Sequence, residues 1–133
     1  MTLVVDASVA AQWVLAQEGS ERAAALRSEE RLIAPSLIAA EVGSAIWKAV
    51  RRGDVERNDA LKALESALLP LNELIPSEDL RLRALELAIE LDHPIYDCFY
   101  LALAERERCA FVSADARLLA AAKKMKGVKG RKL

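Results

Sequence analysis

A chain of 133 residues with 53% apolar and 29% charged residues, but only 5 Gly and 4 Pro, has the composition of one helix-rich globular domain spanning 1–133. That balance excludes a disordered or fibrous polypeptide. The start "MTLVVDAS" has no basic segment, and Asp6 breaks it before a long apolar run builds, so neither an export signal nor a membrane span is expected. Cys98 and Cys109 lack the pair spacing of a metal site and read as reduced thiols in a cytoplasmic protein. The net charge of −1 conceals an asymmetry: the six basic residues of 123–133 leave 13 basic against 20 acidic residues in 1–122, a net of −7. Such a tail reads either as a nucleic-acid contact or as a solvated, frayed C-terminus.

The β-branched run "TLVV" (2–5) predicts a buried first strand, and "ASVAAQWVLAQE" (7–18) a helix stopped by Gly19. A second helix begins at Ser20 and runs to residue 30, followed by a short strand over 31–34. The segment "PSLIAAEVGSAIWKAVRRG" predicts a long helix over 36–52, with Pro and Ser at its start and Gly53 after its end. A helix over 55–69 and a strand over 70–75 come next. "SEDLRLRALELAIELD" (77–92) places Leu80, Ala84, Leu87 and Leu91 on one face, with two acids in the first turn, and predicts an amphipathic helix. The apolar run containing Asp97 predicts another, "CAFVS" (109–113) a strand, and "ADARLLAAAKKM" a last helix. Nearly unbroken apolar strands alternating with helices imply an α/β fold with a central, mostly parallel sheet covered on both faces.

Three acids stand at element boundaries. Asp6 and Asp115 each follow a strand and precede a helix, and Asp97 opens one, so each is explicable as an N-cap. Glu41 is not, because it lies inside a helix with no other charge between Ser36 and Trp47. A distant Lys or Arg is its alternative partner. Gly43, in the same helix interior, costs about 1 kcal/mol relative to Ala and points to close packing on the side away from Glu41.

In an open parallel sheet, the loops beyond the carboxyl ends of the strands form one edge, where Asp6 and Asp115 would meet and toward which Glu41 and Asp97 can lean. Two carboxylates about 4 Å apart repel by roughly 4 kcal/mol at an effective dielectric near 20, so such a group stays ionised only around cations. All-oxygen donors favour Mg²⁺ or Mn²⁺, ions that polarise a phosphodiester and activate water. Ser8 and Ser113, each two residues from an acid, are candidates to orient the ligands, or else bond locally to helix starts.

The blocks "LVVDASV", "APSLIAAEVGSAIWKAVRRG", "IYDCFYLALAER" and "FVSADARLL" resemble, in order and spacing, the four blocks of PIN-domain ribonucleases, and most nearly those of VapC-like toxins of toxin–antitoxin pairs. The resemblance runs from about residue 2 to about 122. It implies a PIN-like fold and places an acidic site on Asp6, Glu41, Asp97 and Asp115. It further implies an Mg²⁺- or Mn²⁺-dependent endoribonuclease acting on RNA, a homodimer, and neutralisation by a small VapB-like antitoxin whose C-terminal segment occupies the active-site groove. The last block commonly carries Thr where Ser113 stands, which keeps a hydroxyl. The basic tail lies outside the matching region.

His93, the only histidine, suits a helix end rather than catalysis. Trp13 and Trp47 read as core or dimer-interface residues, and Tyr96 and Tyr100 as packing residues. Arg51, Arg52, Arg117 and the tail lysines are phosphate-binding candidates that sequence does not rank. Two other readings stand beside the nuclease. A phospho-acceptor signalling module would want paired acids after the first strand, where "VVDASV" supplies one, and an acceptor ending a middle strand, where "PLNELIPS" has none. A catalytically silent interaction domain would use the acids as caps, which Glu41 is not.

Overall fold

The computed structural model describes residues 1–15 and 19–133. Strands β1 (Thr2–Val5), β2 (Arg31–Pro35), β3 (Glu73–Ile75), β4 (Ala110–Ser113) and β5 (Gly130–Lys132) form one sheet in the order β3-β2-β1-β4-β5. Every neighbouring pair is parallel. Consecutive residues of β1, β2 and β4 are buried, so both faces of the sheet are covered, as the unbroken apolar runs imply. The helices are α1 (Ala7–Gln12), α2 (Ser20–Glu29), α3 (Ile38–Arg52), α4 (Arg57–Leu68), α5 (Arg81–Leu91), α6 (Ile95–Glu107) and α7 (Ala116–Ala122).

Helix α6 is the central one. Cys98, Tyr100, Leu101, Ala102, Leu103 and Ala104 are all buried, so the helix is covered on nearly all sides, by the sheet and by α5. The Arg83 guanidinium of α5 grips the Glu105 carboxylate of α6 through two bonds of 2.7 and 2.9 Å, which holds that carboxyl below its ordinary range. Only the two ends of α6 leave the core, and Asp97 is in its first turn.

Boundaries shift where tertiary partners replace local ones. The helix expected over 7–18 is seen over Ala7–Gln12, followed by turns to residue 15, and its expected end lies outside the described residues. The strand expected over 70–75 narrows to Glu73–Ile75, because Asn72 uses its side-chain oxygen and backbone N–H to bond Leu32. The helix expected over 77–92 splits into a 3-10 turn at Ser77–Asp79 and α5. Ser77 is engaged across the sheet instead: its hydroxyl accepts from the Leu37 N–H (2.9 Å) at the start of α3, and its own N–H donates to Ser36 Oγ (3.0 Å). Gly53 does end α3, in the left-handed conformation with φ 84.

Two expectations are overturned. A Cβ at Gly43 would meet nothing within 4 Å, so the residue is not there for close packing. It borders an open apolar groove between α3 and α4, lined by Ile46, Trp47, Leu61 and Leu64. Nor is the basic tail frayed. Residues 130–132 pair in register with Phe111, Val112 and Ser113, the Leu133 N–H donates to Ser113 O (3.1 Å), and Val128 is buried. Arg131 pairs with Glu30 at 3.2 Å. Gly130 permits the approach: a Cβ there would lie 2.8 Å from both Leu119 Cδ2 and Phe111 Cζ, and Phe111 is fully buried. Gly130→Val should therefore destabilise the protein by about 1–3 kcal/mol, the usual cost of overpacking, read as a lower urea midpoint with an unchanged m-value. An unshifted midpoint would mean that β5 contributes nothing to folding.

Candidate active site

The order β3-β2-β1-β4-β5 reverses direction between β1 and β4, and in parallel sheets the crevice beyond such a switch point carries the site. Val5 lies opposite Val112, and the Asp6 N–H continues the ladder to Val112 O (3.3 Å). The next residues of the two strands, Asp6 and Ser113, therefore emerge abreast. Asp6 caps α1: its Oδ1 accepts from the Val9 N–H at 3.2 Å and from Ser8 Oγ at 2.6 Å. Its Oδ2 accepts a short bond from Ser113 Oγ. At 5% exposure this carboxyl is buried, and desolvation raises it from 3.8 to about 6 despite these donors.

Glu41 is half-buried on α3. Its partner is not the distant Lys or Arg considered from sequence but Tyr100 of α6, whose hydroxyl donates to Glu41 Oε1 at 2.6 Å. Burial, with the charge of Asp97 adding to it, raises the Glu41 carboxyl above its ordinary range. Asp97 is not a cap, because α6 begins at Ile95 after Pro94. Its Oδ2 lies 2.7 Å from His93 Nε2, one turn earlier, and the imidazole is only 8% exposed. The charge of Asp97 also bears on Asp6, and the Tyr100 phenol is raised first by burial and then by the charges of Glu41, Asp6 and Asp97.

The structure thus brings Asp6, Glu41 and Asp97 into one electrostatic neighbourhood. Asp115 caps α7, its Oδ1 accepting from the Arg117 N–H at 2.9 Å. Ser113 links it to the others, since its Oγ accepts from the Asp115 N–H (2.9 Å) and donates to Asp6. No group of three or more His, Cys, Asp or Glu side chains among the described residues converges tightly enough to hold one cation. The donor set nevertheless suits a hard divalent ion: it is all oxygen, and no Lys or Arg pairs with any of the four acids among the described residues.

Sequence reasoning passed over His93 and Tyr100 as ligand-holding groups. The i,i+4 spacing of His93 and Asp97 was a usable signal; the Tyr100–Glu41 contact spans 59 positions and had none. The two tyrosines separate. Tyr100 is packed, as expected, while Tyr96 is 63% exposed on the wall of a cleft of about 690 Å³ beside the acids. Trp13 packs on the core and donates to Ala23 O (2.7 Å), whereas Trp47 is 54% exposed with Arg51 stacked 4.8 Å from its ring centre.

Residues 3–124 match the model of the PIN domain family. The chain belongs to the PIN-domain family. It is 35% identical over 116 residues, 87% of each chain, to the ribonuclease VapC9 of Mycobacterium tuberculosis. It is 31% identical over 121 residues to the ribonuclease VapC3 of Pyrobaculum aerophilum, covering 89% of this chain and 92% of that one. PAE2754 from Pyrobaculum aerophilum superposes with a TM-score of 0.72 at 26% identity, over 98% of this chain and 83% of that one. VapBC2 from Rickettsia felis, solved bound to a DNA fragment from its promoter, gives 0.73 at 14% identity, over 100% and 99% of the two chains, and shares the fold. The chain is thus a VapC-like PIN-domain protein, and PIN-domain ribonucleases generally use a divalent metal. The match ends before β5. No helix among the described residues is long and apolar enough to cross a membrane.

Burial of Asp6 carries a pH dependence of definite sign. A folded carboxyl raised from 3.8 to about 6 binds protons more tightly than in the unfolded chain. Its stabilising contribution is complete below about 3.8 and is lost as pH rises through about 6, an effect on the order of 3 kcal/mol. In chelator, the metal-free protein should lose stability relative to Asp6→Asn as pH rises from 4 to 7. Parallel melting profiles of the two proteins over that range would show that Asp6 is not strained by burial.

Proposed function

We propose that this PIN-domain chain is an endoribonuclease toxin that hydrolyses RNA phosphodiester bonds with Mg²⁺ or Mn²⁺. In this reading the catalytic domain spans 1–133, acts in the cytoplasm as a homodimer and is silenced by a VapB-like antitoxin. The observation that carries the reading is the gathering of Asp6, Glu41 and Asp97 at the sheet's switch point without a Lys or Arg to balance them. Unbalanced carboxylates so placed cost stability unless a cation joins them. The relatives named as VapC ribonucleases supply the reaction class.

Asp6, Glu41, Asp97 and Asp115 would hold the metal, which when bound supplies Lewis acidity toward a phosphodiester. The protein's part is positioning. Ser8 and Ser113 fix both oxygens of Asp6, Tyr100 fixes Glu41, and His93 fixes one oxygen of Asp97. The silent-domain reading explains Asp6 and Asp115, which do cap helices, but not Glu41 and Asp97, which cap nothing.

Purified protein with Mn²⁺ should cut RNA, and EDTA should stop it. Asp97→Asn should lower the cleavage rate by about 100-fold or more and relieve growth inhibition, with unchanged circular dichroism. A variant as active and toxic as the parent would remove Asp97 from the site. Mg²⁺ or Mn²⁺ at a hundredfold excess over its dissociation constant should stabilise the fold by about 2.7 kcal/mol. A melting temperature indifferent to millimolar metal would leave the acids as caps.

A further inference from the structure

The cleft that begins at the acids does not end there. Its walls include Ser8, Glu41, Lys48, Arg52 and the exposed ring of Tyr96. Glu41, Lys48 and Arg52 share one stripe of α3: offsets of 7 and 11 residues place the two cations about 20° to either side of Glu41 around the axis. At about 1.5 Å per residue, the two cations lie roughly 10 and 16 Å beyond Glu41 along the helix. The positions between them on that stripe are small, Ser44 and Ala45, so the floor of the cleft stays open.

Lys48 makes no ion pair among the described residues, and the partner of Arg52 is Asp54 at 3.0 Å, a solvent-exposed contact of the kind that exchanges easily. Arg51 is different, since its guanidinium lies over Trp47 outside this cleft. Of the basic residues that sequence could not rank, Arg52 is therefore the one that lines the cleft, and Lys48 joins it although sequence did not single it out.

We propose that Lys48, Arg52 and Tyr96 form a single-strand RNA subsite on one side of the cleavage point. Lys48 and Arg52 bind the backbone phosphates that follow along α3, and the Tyr96 ring stacks on an unpaired base. The inference rests on the nuclease reading and extends it. It explains how a polyanion settles beside uncompensated carboxylates: the attraction comes from two cations too far along the helix to neutralise the acids themselves. It also places the bound strand to one side of the acids, because the cations lie on one side of Glu41.

The test is fluorescence anisotropy with a labelled single-stranded oligoribonucleotide, in an Asp97→Asn background so that the probe survives. Lys48→Gln and Arg52→Gln should each weaken binding several-fold and flatten the log–log salt dependence by about 0.7 per residue. Tyr96→Ala should weaken binding by about tenfold without changing the salt slope, as expected for lost stacking. Asp54→Asn, which releases Arg52, should tighten binding, and Lys62→Gln on α4, outside the cleft, should match the parent. Unchanged affinity and slope in both cleft variants, or an equal loss with Lys62→Gln, overturns the subsite. The two ideas fail separately. Mn²⁺-dependent cleavage with an unaltered KM in the Lys48→Gln, Arg52→Gln double variant would sink the subsite and leave the nuclease; cleft-dependent binding without cleavage by the parent would do the reverse.

Discussion

The parallel pairing of β1 with β4 is the constraint from which the site follows. Placing Val5 opposite Val112 sets Asp6, the first residue after β1, beside Ser113, the last of β4, and it buries a carboxylate where the sheet reverses direction. Desolvation there outweighs three hydrogen bonds from Ser113, Ser8 and Val9. The fold thus holds a charge it would be more stable without, and it does so where two helix starts and the centre of the sheet leave little room to relax. Perturbed carboxyl groups of this kind cluster at functional sites.

The remaining acids are held in a consistent manner. Each is fixed by a hydroxyl, a phenol, an imidazole or a backbone N–H, and none by Lys or Arg among the described residues. A guanidinium would have neutralised the site and made it a structural salt bridge. Phenol and hydroxyl donors instead fix geometry while leaving the negative charge in place. Helix α6 makes this possible: it is packed through its middle, from Cys98 to Ala104, so its first turn presents Asp97 beside His93 from a rigid base, and its second supplies the Tyr100 hydroxyl to α3. The cations are displaced instead to the far end of α3, where they shape the approach to the acids without quenching them.

The C-terminal residues form a structural edge, not an appendage. β5 extends the sheet beyond the residues 3–124 that the PIN family model matches, and its backbone reaches Ser113, which holds Asp6 and Asp115. Its basic side chains suit an edge strand, since charge there discourages further strand pairing. Composition suggested the opposite, because Gly, Lys and Arg are poor strand formers and only the fit of Gly130 against Phe111 admits the strand.

What the sequence determined by itself were the features with local physical causes. Apolar runs too unbroken for a half-exposed sheet specified parallel strands, and acids at strand-to-helix junctions specified where caps and site coincide. A glutamate with no local partner announced that a distant one existed. Tertiary structure decided which partner that was. Tyr100 stands 59 residues from Glu41, and nothing in either neighbourhood encodes the contact. It also decided that Tyr96 faces solvent while Tyr100 is buried, that Gly43 borders a groove and not a close contact, and that Lys48 and Arg52 share the cleft of the acids. Local periodicity specifies which face of an element is apolar. Only the packing of elements against one another specifies what each polar group meets.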